Sequence, residues 1–127
     1  MAKILVVEDE VAIRQTIVDL LEVENHVALK AENGLIGLSL ARKEQVDLVI
    51  CDIMMPQLNG YGVLKALREE TFTSSLPFLF LSAKASEDDF EYGLQLGATA
   101  YLTKPFSLTS LLQAIENCLS HTSLKAS

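Results

Sequence analysis

The feature that most constrains the fold of this chain is a regular alternation between short β-rich runs and longer segments with helical periodicity. Five runs rich in apolar residues are each followed by a segment whose apolar residues recur every three or four positions. The predicted strands are Lys3 to Val7, His26 to Ala31, Asp47 to Cys51, Phe78 to Leu81 and Ala100 to Thr103. Strict alternation of strands and helices predicts a parallel sheet with helices on both faces.

The helical segments carry signals for their ends. The first helix is predicted over Val11 to Val23. Asn33, Asn59, Ser86 and Ser107 stand where the later helices begin, and Gly97 stands where the fourth one ends. The side chains expected to face the core are Leu35, Leu38 and Ala41 in the second helix, Leu64 and Leu67 in the third, and Leu108, Leu111, Leu112, Ile115 and Leu119 in the fifth.

The character of each run indicates its place in the sheet. The third run, DLVIC, is almost entirely apolar, which is typical of a central parallel strand covered on both faces. The second run, HVALKA, is more polar, as an edge strand is. The sequence therefore predicts an α/β fold with a doubly wound five-stranded parallel sheet, in the flavodoxin-like order 2-1-3-4-5.

Length and composition limit the classes of protein. The 127 residues are enough for one domain, expected over residues 1–121, with a frayed tail over 122–127 and no second domain. A net charge of −7 argues against direct binding of nucleic acid. The amino terminus lacks a secretory signal, and no run approaches the ~20 apolar residues of a membrane span. We therefore expect a cytoplasmic protein without membrane contact. Cys51 and Cys118 match no metal-binding spacing.

Polar residues follow four of the predicted strands. Glu8 and Asp9 follow the first strand, Asp52 the third, Ser82 the fourth and Lys104 the fifth. The carboxyl ends of the strands form the ligand-binding edge of such a sheet, so these side chains are expected to meet. Three carboxylates in one cleft repel one another unless a cation lies between them. A hard divalent ion with oxygen ligands and bound water fits, and Mg²⁺ is the natural choice.

Each of these residues has a simpler interpretation when taken alone. Asp9 or Glu10 could be a helix cap, Asp52 a loop acid, Ser82 a turn hydroxyl and Lys104 a solvated surface lysine. Their joint position favours phosphoryl transfer instead. A carboxylate can attack phosphorus, and positioning and charge neutralisation supply most of the catalysis. In this interpretation Asp9 and Asp52 hold Mg²⁺, Lys104 supplies a positive charge, and Ser82 hydrogen-bonds a phosphoryl oxygen.

The same residues carry a resemblance that covers nearly the whole chain. VVEDE, DIMMPQLNG, LSAK and YLTKPF, in this order, resemble the CheY-like receiver domains of two-component response regulators, most closely those of winged-helix regulators. The resemblance implies that Asp52 is the phosphoacceptor, and that a sensor histidine kinase or a histidine phosphotransfer protein is the donor. It also implies an acidic pair at Glu8 and Asp9 for Mg²⁺, with the backbone carbonyl of Met54 as a further ligand.

Further roles follow only from this resemblance. Ser82 and Tyr101 take the two switch positions: Ser82 moves toward the phosphoryl group and Tyr101 turns inward, which alters a surface of the fourth helix, fifth strand and fifth helix for an unknown downstream protein. Lys104 takes the lysine position, and its bond to Pro105 is expected to be cis. Lys84 and Met54 flank the site at positions that tune the phosphoryl lifetime. The only catalysis expected is phosphotransfer to the protein itself and its reversal by hydrolysis.

The sequence departs from the winged-helix receivers on one face. Those receivers resemble GADDYLTKPF, whereas this chain has GATAYLTKPF, with Ala100 in place of an acid; the final helix has Ala114 and no arginine. We therefore expect a monomer or a weak dimer. The same residues argue against two other classes of protein. Haloacid-dehalogenase-like phosphohydrolases carry a second acid where Met54 stands, and flavodoxin-like cofactor binders need a phosphate loop where Glu8 and Asp9 would repel phosphate.

Overall fold

The computed structural model describes residues 1–126, with side chains described for residues 1–120. Five strands and five helices alternate along this part of the chain. The elements are β1 (Lys3–Val7), α1 (Val11–Val23), β2 (Val27–Ala31), α2 (Gly34–Glu44), β3 (Leu48–Asp52), α3 (Gly60–Glu69), β4 (Phe78–Ser82), α4 (Glu87–Gln95), β5 (Ala100–Thr103) and α5 (Leu108–Ala126). The side chains of the tail expected over residues 122–127 lie outside the described part.

The strands form one parallel sheet in the order β2-β1-β3-β4-β5, which confirms the predicted fold class. β3 is central, and all five of its residues are buried, whereas β2 lies at an edge and keeps partly exposed side chains. β3 ends at Asp52 and β4 at Ser82, one residue later than predicted for each. A terminal carboxylate or hydroxyl interrupts the apolar pattern, so the pattern alone ends these strands too early.

The core consists of two apolar layers, one on each face of the sheet. One layer packs α2 and α3 against the sheet, through buried residues that include Leu38, Val63, Leu64, Leu67 and Phe80. The other packs α1 and α5 against the opposite face, through buried residues that include Ile17, Leu21, Leu111, Ile115 and Cys118. The helices therefore cover both faces, and the polar ends of the strands are left at the carboxyl edge. No helix in the described part is long and apolar enough to cross a membrane.

The predicted helix ends are confirmed, and two of the predicted core positions are wrong. Asn33 and Ser107 accept hydrogen bonds from backbone amides three residues later, and Ser86 forms a capping box with Asp89. Leu35 and Leu108, however, are 54% and 50% exposed. Both lie in the first turn of their helices, Leu35 in α2 and Leu108 in α5.

Candidate functional site at the carboxyl edge of the sheet

The carboxyl edge of the sheet brings together the polar residues that were predicted to meet. Glu8 follows β1, Asp52 and Ser82 are the last residues of β3 and β4, and Lys104 follows β5. Neighbouring strands end within one residue of each other in the sheet register. Glu8, Asp52 and Ser82 are buried, at 0%, 4% and 0% exposure. Apolar strands thus deliver an acid and a hydroxyl into a largely desolvated cleft.

Lys104 is the cation at the centre of this cleft. Its Nζ lies 2.8 Å from Glu8 Oε1 and donates a 3.0 Å hydrogen bond to Asp52 Oδ2, and the exposed Glu10 carboxylate lies 3.8 Å away. Burial alone would lower the pKa of Lys104, but the two neighbouring carboxylates outweigh it and the pKa is raised. The lysine therefore remains protonated at neutral pH. The Lys104–Pro105 peptide bond is cis, as expected.

The carboxyl group of Glu8 has a raised pKa, so its charged form is disfavoured. Burial is the main reason that its pKa is raised from 4.5 to about 7; the charge of Asp52 raises it further, while Lys104 and the Glu10 amide oppose the shift. Oε2 accepts a 3.1 Å hydrogen bond from the Glu10 amide. Oε1 makes the 2.8 Å ion contact with Lys104, and within the described part of the chain this buried oxygen has no further hydrogen-bond partner. It remains available for a further ligand.

Three acids at this edge fit a divalent cation. Glu8, Asp9 and Asp52 each offer one carboxylate oxygen, and these oxygens all lie within 4.8 Å of one another. The acceptor that Glu8 leaves without a hydrogen bond is the kind of atom that a hard cation takes as a ligand. The Met54 amide donates a 3.3 Å hydrogen bond to Asp52 Oδ1, so its peptide lies beside the site. The role of the Met54 carbonyl as a ligand of Mg²⁺ remains a prediction.

The structure does not support the simpler interpretation, in which Asp9 or Glu10 caps α1. Glu10 occupies the N-cap position of α1, but its side chain makes no capping hydrogen bond. Asp9 precedes the cap and is exposed. The backbone carbonyl of Glu8 accepts a 2.7 Å hydrogen bond from Arg14 Nη1, which ties the loop after β1 to α1. The Arg14 contact was not predicted, because nothing in the sequence marks an arginine in α1 as a partner of this loop.

The side chains of Ser82 and Tyr101 both form hydrogen bonds with the backbone of Lys84. The buried Ser82 Oγ accepts a 3.1 Å hydrogen bond from the Lys84 amide, and the Tyr101 hydroxyl donates a 2.9 Å hydrogen bond to the Lys84 carbonyl. Burial raises the pKa of the Tyr101 hydroxyl, which therefore remains a donor at neutral pH. The two predicted switch residues are consequently linked through one residue of the loop after β4.

The Tyr101 ring is half-buried under α4. It packs edge to face on Phe90 and Phe80, with ring centroids 4.7 Å and 6.0 Å away. Gly93 permits this approach, since a Cβ at that position would lie 3.2 Å from Tyr101 Cδ2 and 3.3 Å from Phe80 Cδ2. Any change in the position of the Tyr101 ring must therefore be accommodated by α4.

Tyr61 is a residue of this region that the sequence analysis missed. It lies in the first turn of α3, and its ring packs edge to face on Phe80 at 5.5 Å and on Tyr92 at 4.8 Å. The Lys84 ammonium lies over the same ring, 5.8 Å from its centroid. No sequence pattern indicates this contact, because α3, β4 and α4 come together only in the folded chain.

Comparison with known protein families identifies one matching family. The sequence model of the response regulator receiver domain matches residues 4–116, which is most of the chain. The matched span contains Glu8, Asp9, Asp52, Ser82 and Lys104.

Related proteins differ in how much of their own length this chain covers. A probable transcriptional regulatory protein of Picosynechococcus is 48% identical over 118 residues, which are 87% of this chain and 46% of the relative. PilH of Pseudomonas aeruginosa is 40% identical over 119 residues, which are 94% of this chain and 98% of PilH. CiaR of Streptococcus pneumoniae, a transcriptional regulatory protein, is 41% identical over 94% of this chain and 52% of its own length. The chain thus spans about half of the transcriptional regulators and nearly all of PilH.

Solved structures share the fold. The chemotaxis protein CheY4 of Vibrio cholerae superposes with a TM-score of 0.89 at 33% identity, over 94% of this chain and 99% of CheY4. The receiver domain of the Francisella response regulator 1452 superposes with a TM-score of 0.90 at 33% identity, over 96% and 99% of the two chains. The similarity covers all the elements that carry the site.

Proposed function

This chain belongs to the response regulator receiver domain family, and from that membership we propose that Asp52 is its phosphoacceptor. The donor is the phosphohistidine of a sensor histidine kinase or of a histidine phosphotransfer protein in the cytoplasm. Phosphorylation then changes the affinity of a surface on α4, β5 and α5 for a downstream protein. The protein catalyses its own phosphotransfer and dephosphorylation and acts on no other substrate.

The observation that carries this proposal is the placement of Lys104 between two buried carboxylates. Its Nζ contacts Asp52 at 3.0 Å and Glu8 at 2.8 Å, and the side chain of Asp52 is 5% exposed. A solvated lysine would not be drawn into this cleft, and a purely structural ion pair would not need a second buried acid. A protonated lysine beside a nucleophilic carboxylate is what phosphoryl transfer requires, because negative charge gathers on the phosphoryl oxygens.

The residues present can carry out the transfer with few covalent steps. A carboxylate oxygen of Asp52 forms a bond to phosphorus while the P–N bond of the phosphohistidine breaks, and the bonding electron pair stays on the imidazole nitrogen. Lys104 keeps its proton and gives up part of its contact with Asp52 to a phosphoryl oxygen. The product is an acyl phosphate, which hydrolysis by water returns to the carboxylate.

The acids beside Asp52 make a cation necessary before a dianionic phosphoryl group can enter the cleft. Glu8, Asp9 and Asp52 together with a single lysine leave the cleft negatively charged, which opposes the approach of a phosphoryl group. These residues would hold Mg²⁺, which when bound supplies charge neutralisation for the phosphoryl oxygens. Glu8 must lose its proton to act as a ligand, so occupation of the site depends on pH in the neutral range.

The switch follows from the hydrogen bonds of the Lys84 peptide. When Ser82 Oγ turns toward a phosphoryl oxygen, it gives up its 3.1 Å bond from the Lys84 amide. Tyr101 holds the carbonyl of the same residue, so a movement of this loop is passed to the Tyr101 ring and to α4 above it. Phosphorylation adds about −1.5 to −2 charges at Asp52, and this charge biases the equilibrium between the two arrangements.

Incubation with acetyl phosphate and Mg²⁺, followed by intact mass measurement, tests the proposal. Wild type is expected to gain one phosphoryl group and to lose this gain when Mg²⁺ is chelated before the incubation. Asp52→Asn is expected to gain none, because an amide is not a nucleophile for phosphorus. Asp47→Asn is the matched control, since Asp47 is an exposed acid at the opposite end of β3.

The outcomes of this experiment separate the candidate roles. Equal labelling of wild type and Asp52→Asn would refute Asp52 as the acceptor. No labelling of wild type, with full labelling of another receiver domain in the same reaction, would refute phosphorylation of this chain and leave it a docking domain only. Labelling that persists in chelator would refute the role of Mg²⁺ alone.

A further inference from the structure

The loop between β1 and α1 carries two of the three acids of the proposed cation site. Glu8 and Asp9 each offer a carboxylate oxygen, and these oxygens lie within 4.8 Å of each other and of an oxygen of Asp52. The Asp9 side chain is exposed and makes no hydrogen bond or ion pair with any residue that the structure describes. The position of its carboxylate therefore depends on the backbone that carries it.

Glu8, the residue before Asp9, is held by three hydrogen bonds. Its amide donates to the Ala31 carbonyl at 3.0 Å, and its Oε2 accepts from the Glu10 amide at 3.1 Å. The third bond is the 2.7 Å one from Arg14 Nη1 to the Glu8 carbonyl, which belongs to the peptide group that joins Glu8 to Asp9. Arg14 is thus the only side chain in the described part that holds this peptide group, and a charged donor makes the bond a strong one.

Arg14 makes this bond in place of an ion pair. It lies in the first turn of α1 and is half-buried, close in sequence to three acids, yet it pairs with no carboxylate among the described residues. A guanidinium matches a carboxylate in shape and charge, and such a pair would occupy oxygens that a metal ion needs. Because Arg14 binds a backbone carbonyl, the loop is fixed while its carboxylates remain free to act as ligands.

We propose that Arg14 is a positioning residue for the cation site: it fixes the peptide group between Glu8 and Asp9 and thereby presents both carboxylates to Mg²⁺. The inference rests on the cation site of the proposed function. Arg14 supplies no ligand atom itself, because a guanidinium has only donors. Residues that orient metal ligands without binding the metal typically contribute tenfold or more to its affinity.

The positive charge of Arg14 and its hydrogen bond have opposite effects on the binding of Mg²⁺. A cation near the site repels Mg²⁺, so loss of the charge alone would strengthen binding. Loss of the hydrogen bond lets the peptide group between Glu8 and Asp9 rotate, and this weakens binding. The direction of the change in affinity therefore separates a positioning role from a purely electrostatic one.

Calorimetric titration of unphosphorylated protein with Mg²⁺ measures this direction. Arg14→Met keeps most of the side-chain stem and removes the charge and the donors, and it is expected to weaken binding about tenfold. Lys30→Met is the matched control. Lys30 is an exposed cation that lines the same surface cavity as Arg14, and its side chain makes no hydrogen bond to the loop. Its loss should leave the affinity unchanged or slightly higher.

The titration distinguishes failure of the proposal from failure of the cation site. Unchanged or tighter binding of Mg²⁺ by Arg14→Met would overturn the role of Arg14, and so would an equal weakening by Lys30→Met. Wild type that binds no Mg²⁺ would refute the cation site itself, and the same series of titrations shows this directly.

A second measurement needs neither Mg²⁺ nor phosphorylation. Amide hydrogen exchange, followed by NMR in metal-free protein, reports whether Arg14 holds the loop. In Arg14→Met the Glu10 amide is expected to exchange about threefold to tenfold faster, the range for loss of one hydrogen bond. The amide of Ile50, buried in β3, should be unaffected. A wild-type rate at Glu10 would overturn the proposal, as would equal acceleration at Ile50, since Arg14 would then act only through the stability of the whole fold.

Discussion

At the scale of single residues, we expect Glu8 to determine how the site responds to pH. Its side chain is fully buried and its pKa is about 7, so at pH 6 most molecules carry the protonated acid and at pH 8 most carry the carboxylate. Only the carboxylate can bind a metal ion. Lys104 offsets part of the burial penalty but does not remove it. Occupancy of the proposed cation site is therefore expected to depend on a single proton.

We predict that the affinity for Mg²⁺ falls about tenfold between pH 8 and pH 6, the change in the ionised fraction of a group with a pKa of about 7. Calorimetric titration at the two pH values measures this change, and in buffers of different ionisation heat it also reports the released proton. Glu8→Gln should bind Mg²⁺ weakly and with no such pH dependence. An affinity for Mg²⁺ that is the same at both pH values would contradict the role given to Glu8.

Lys84 is expected to affect a second property of the site, the lifetime of the phosphoryl group. We predict that Lys84→Glu speeds dephosphorylation and leaves the fold intact, because the change removes the contact with the Tyr61 ring and reverses the charge in the loop after β4. The rate is followed by intact mass after removal of the phosphodonor. Lys65→Glu makes the same charge change at an exposed position of α3 and should leave the rate unaltered. Equal rates in wild type and Lys84→Glu would rule this prediction out.

At the scale of elements, the contact between α2 and β1 depends on Gly37. A Cβ at this position would lie 2.7 Å and 2.8 Å from the two γ-carbons of Val7, which is buried and has a stiff χ1 torsion. Glycine in a helix costs about 1 kcal/mol relative to alanine. The sequence alone gives no reason for this cost, and the close packing of α2 on β1 supplies it.

We predict that Gly37→Ala lowers the free energy of unfolding by about 1 kcal/mol, since an overpacking cost of about 1–3 kcal/mol outweighs the gain in helix propensity. Urea denaturation measures the change. In a Val7→Ala background the same substitution should be stabilising, because the clashing methyl groups are gone. Ser39→Ala on the exposed side of α2 is the control and should be neutral or slightly stabilising. Stabilisation by Gly37→Ala in wild type would contradict the packing argument.

Arg68 joins two elements at the opposite edge of the sheet. Its guanidinium at the end of α3 donates hydrogen bonds to the Gly97 carbonyl from Nε at 3.1 Å and from Nη2 at 2.8 Å, and to the Thr73 carbonyl at 3.1 Å. Gly97 has a φ of 107°, a conformation that favours glycine, and ends α4 as predicted. The carboxyl end of α4 is thus anchored to α3, and the other end of α4 lies next to the loop of Lys84.

At the scale of the whole molecule, the sequence predicts the architecture because its signals are local and mutually consistent. The strand runs, the caps and the buried third strand all agree with one parallel sheet, and the order of the sheet places Glu8, Asp52, Ser82 and Lys104 at one edge. What the sequence does not reveal is contact between elements. The Tyr61 contact, like the Gly37 packing and the Arg68 anchor, exists only after distant segments have packed.

The surface of α4, β5 and α5 is relevant to whether two copies of the protein form a dimer. Ala100 and Ala114 are half-buried against the layer of α1 and α5, and neither offers a charge to a second copy. We predict that sedimentation velocity finds a monomer at micromolar concentration, before and after phosphorylation, with at most a weak dimer at higher concentration. A stable dimer on phosphorylation would contradict this and would direct the search for an output toward self-association.

The position of the acyl phosphate along the chain tests whether Asp52 carries the phosphoryl group. Borohydride reduces an aspartyl phosphate to homoserine, so peptide mapping after phosphorylation and reduction reads the modified position. We predict homoserine at position 52 alone, in samples that received both acetyl phosphate and Mg²⁺. Homoserine at position 9, or a phosphoryl group on Ser82 that survives reduction, would contradict the assignment of Asp52 as the nucleophile.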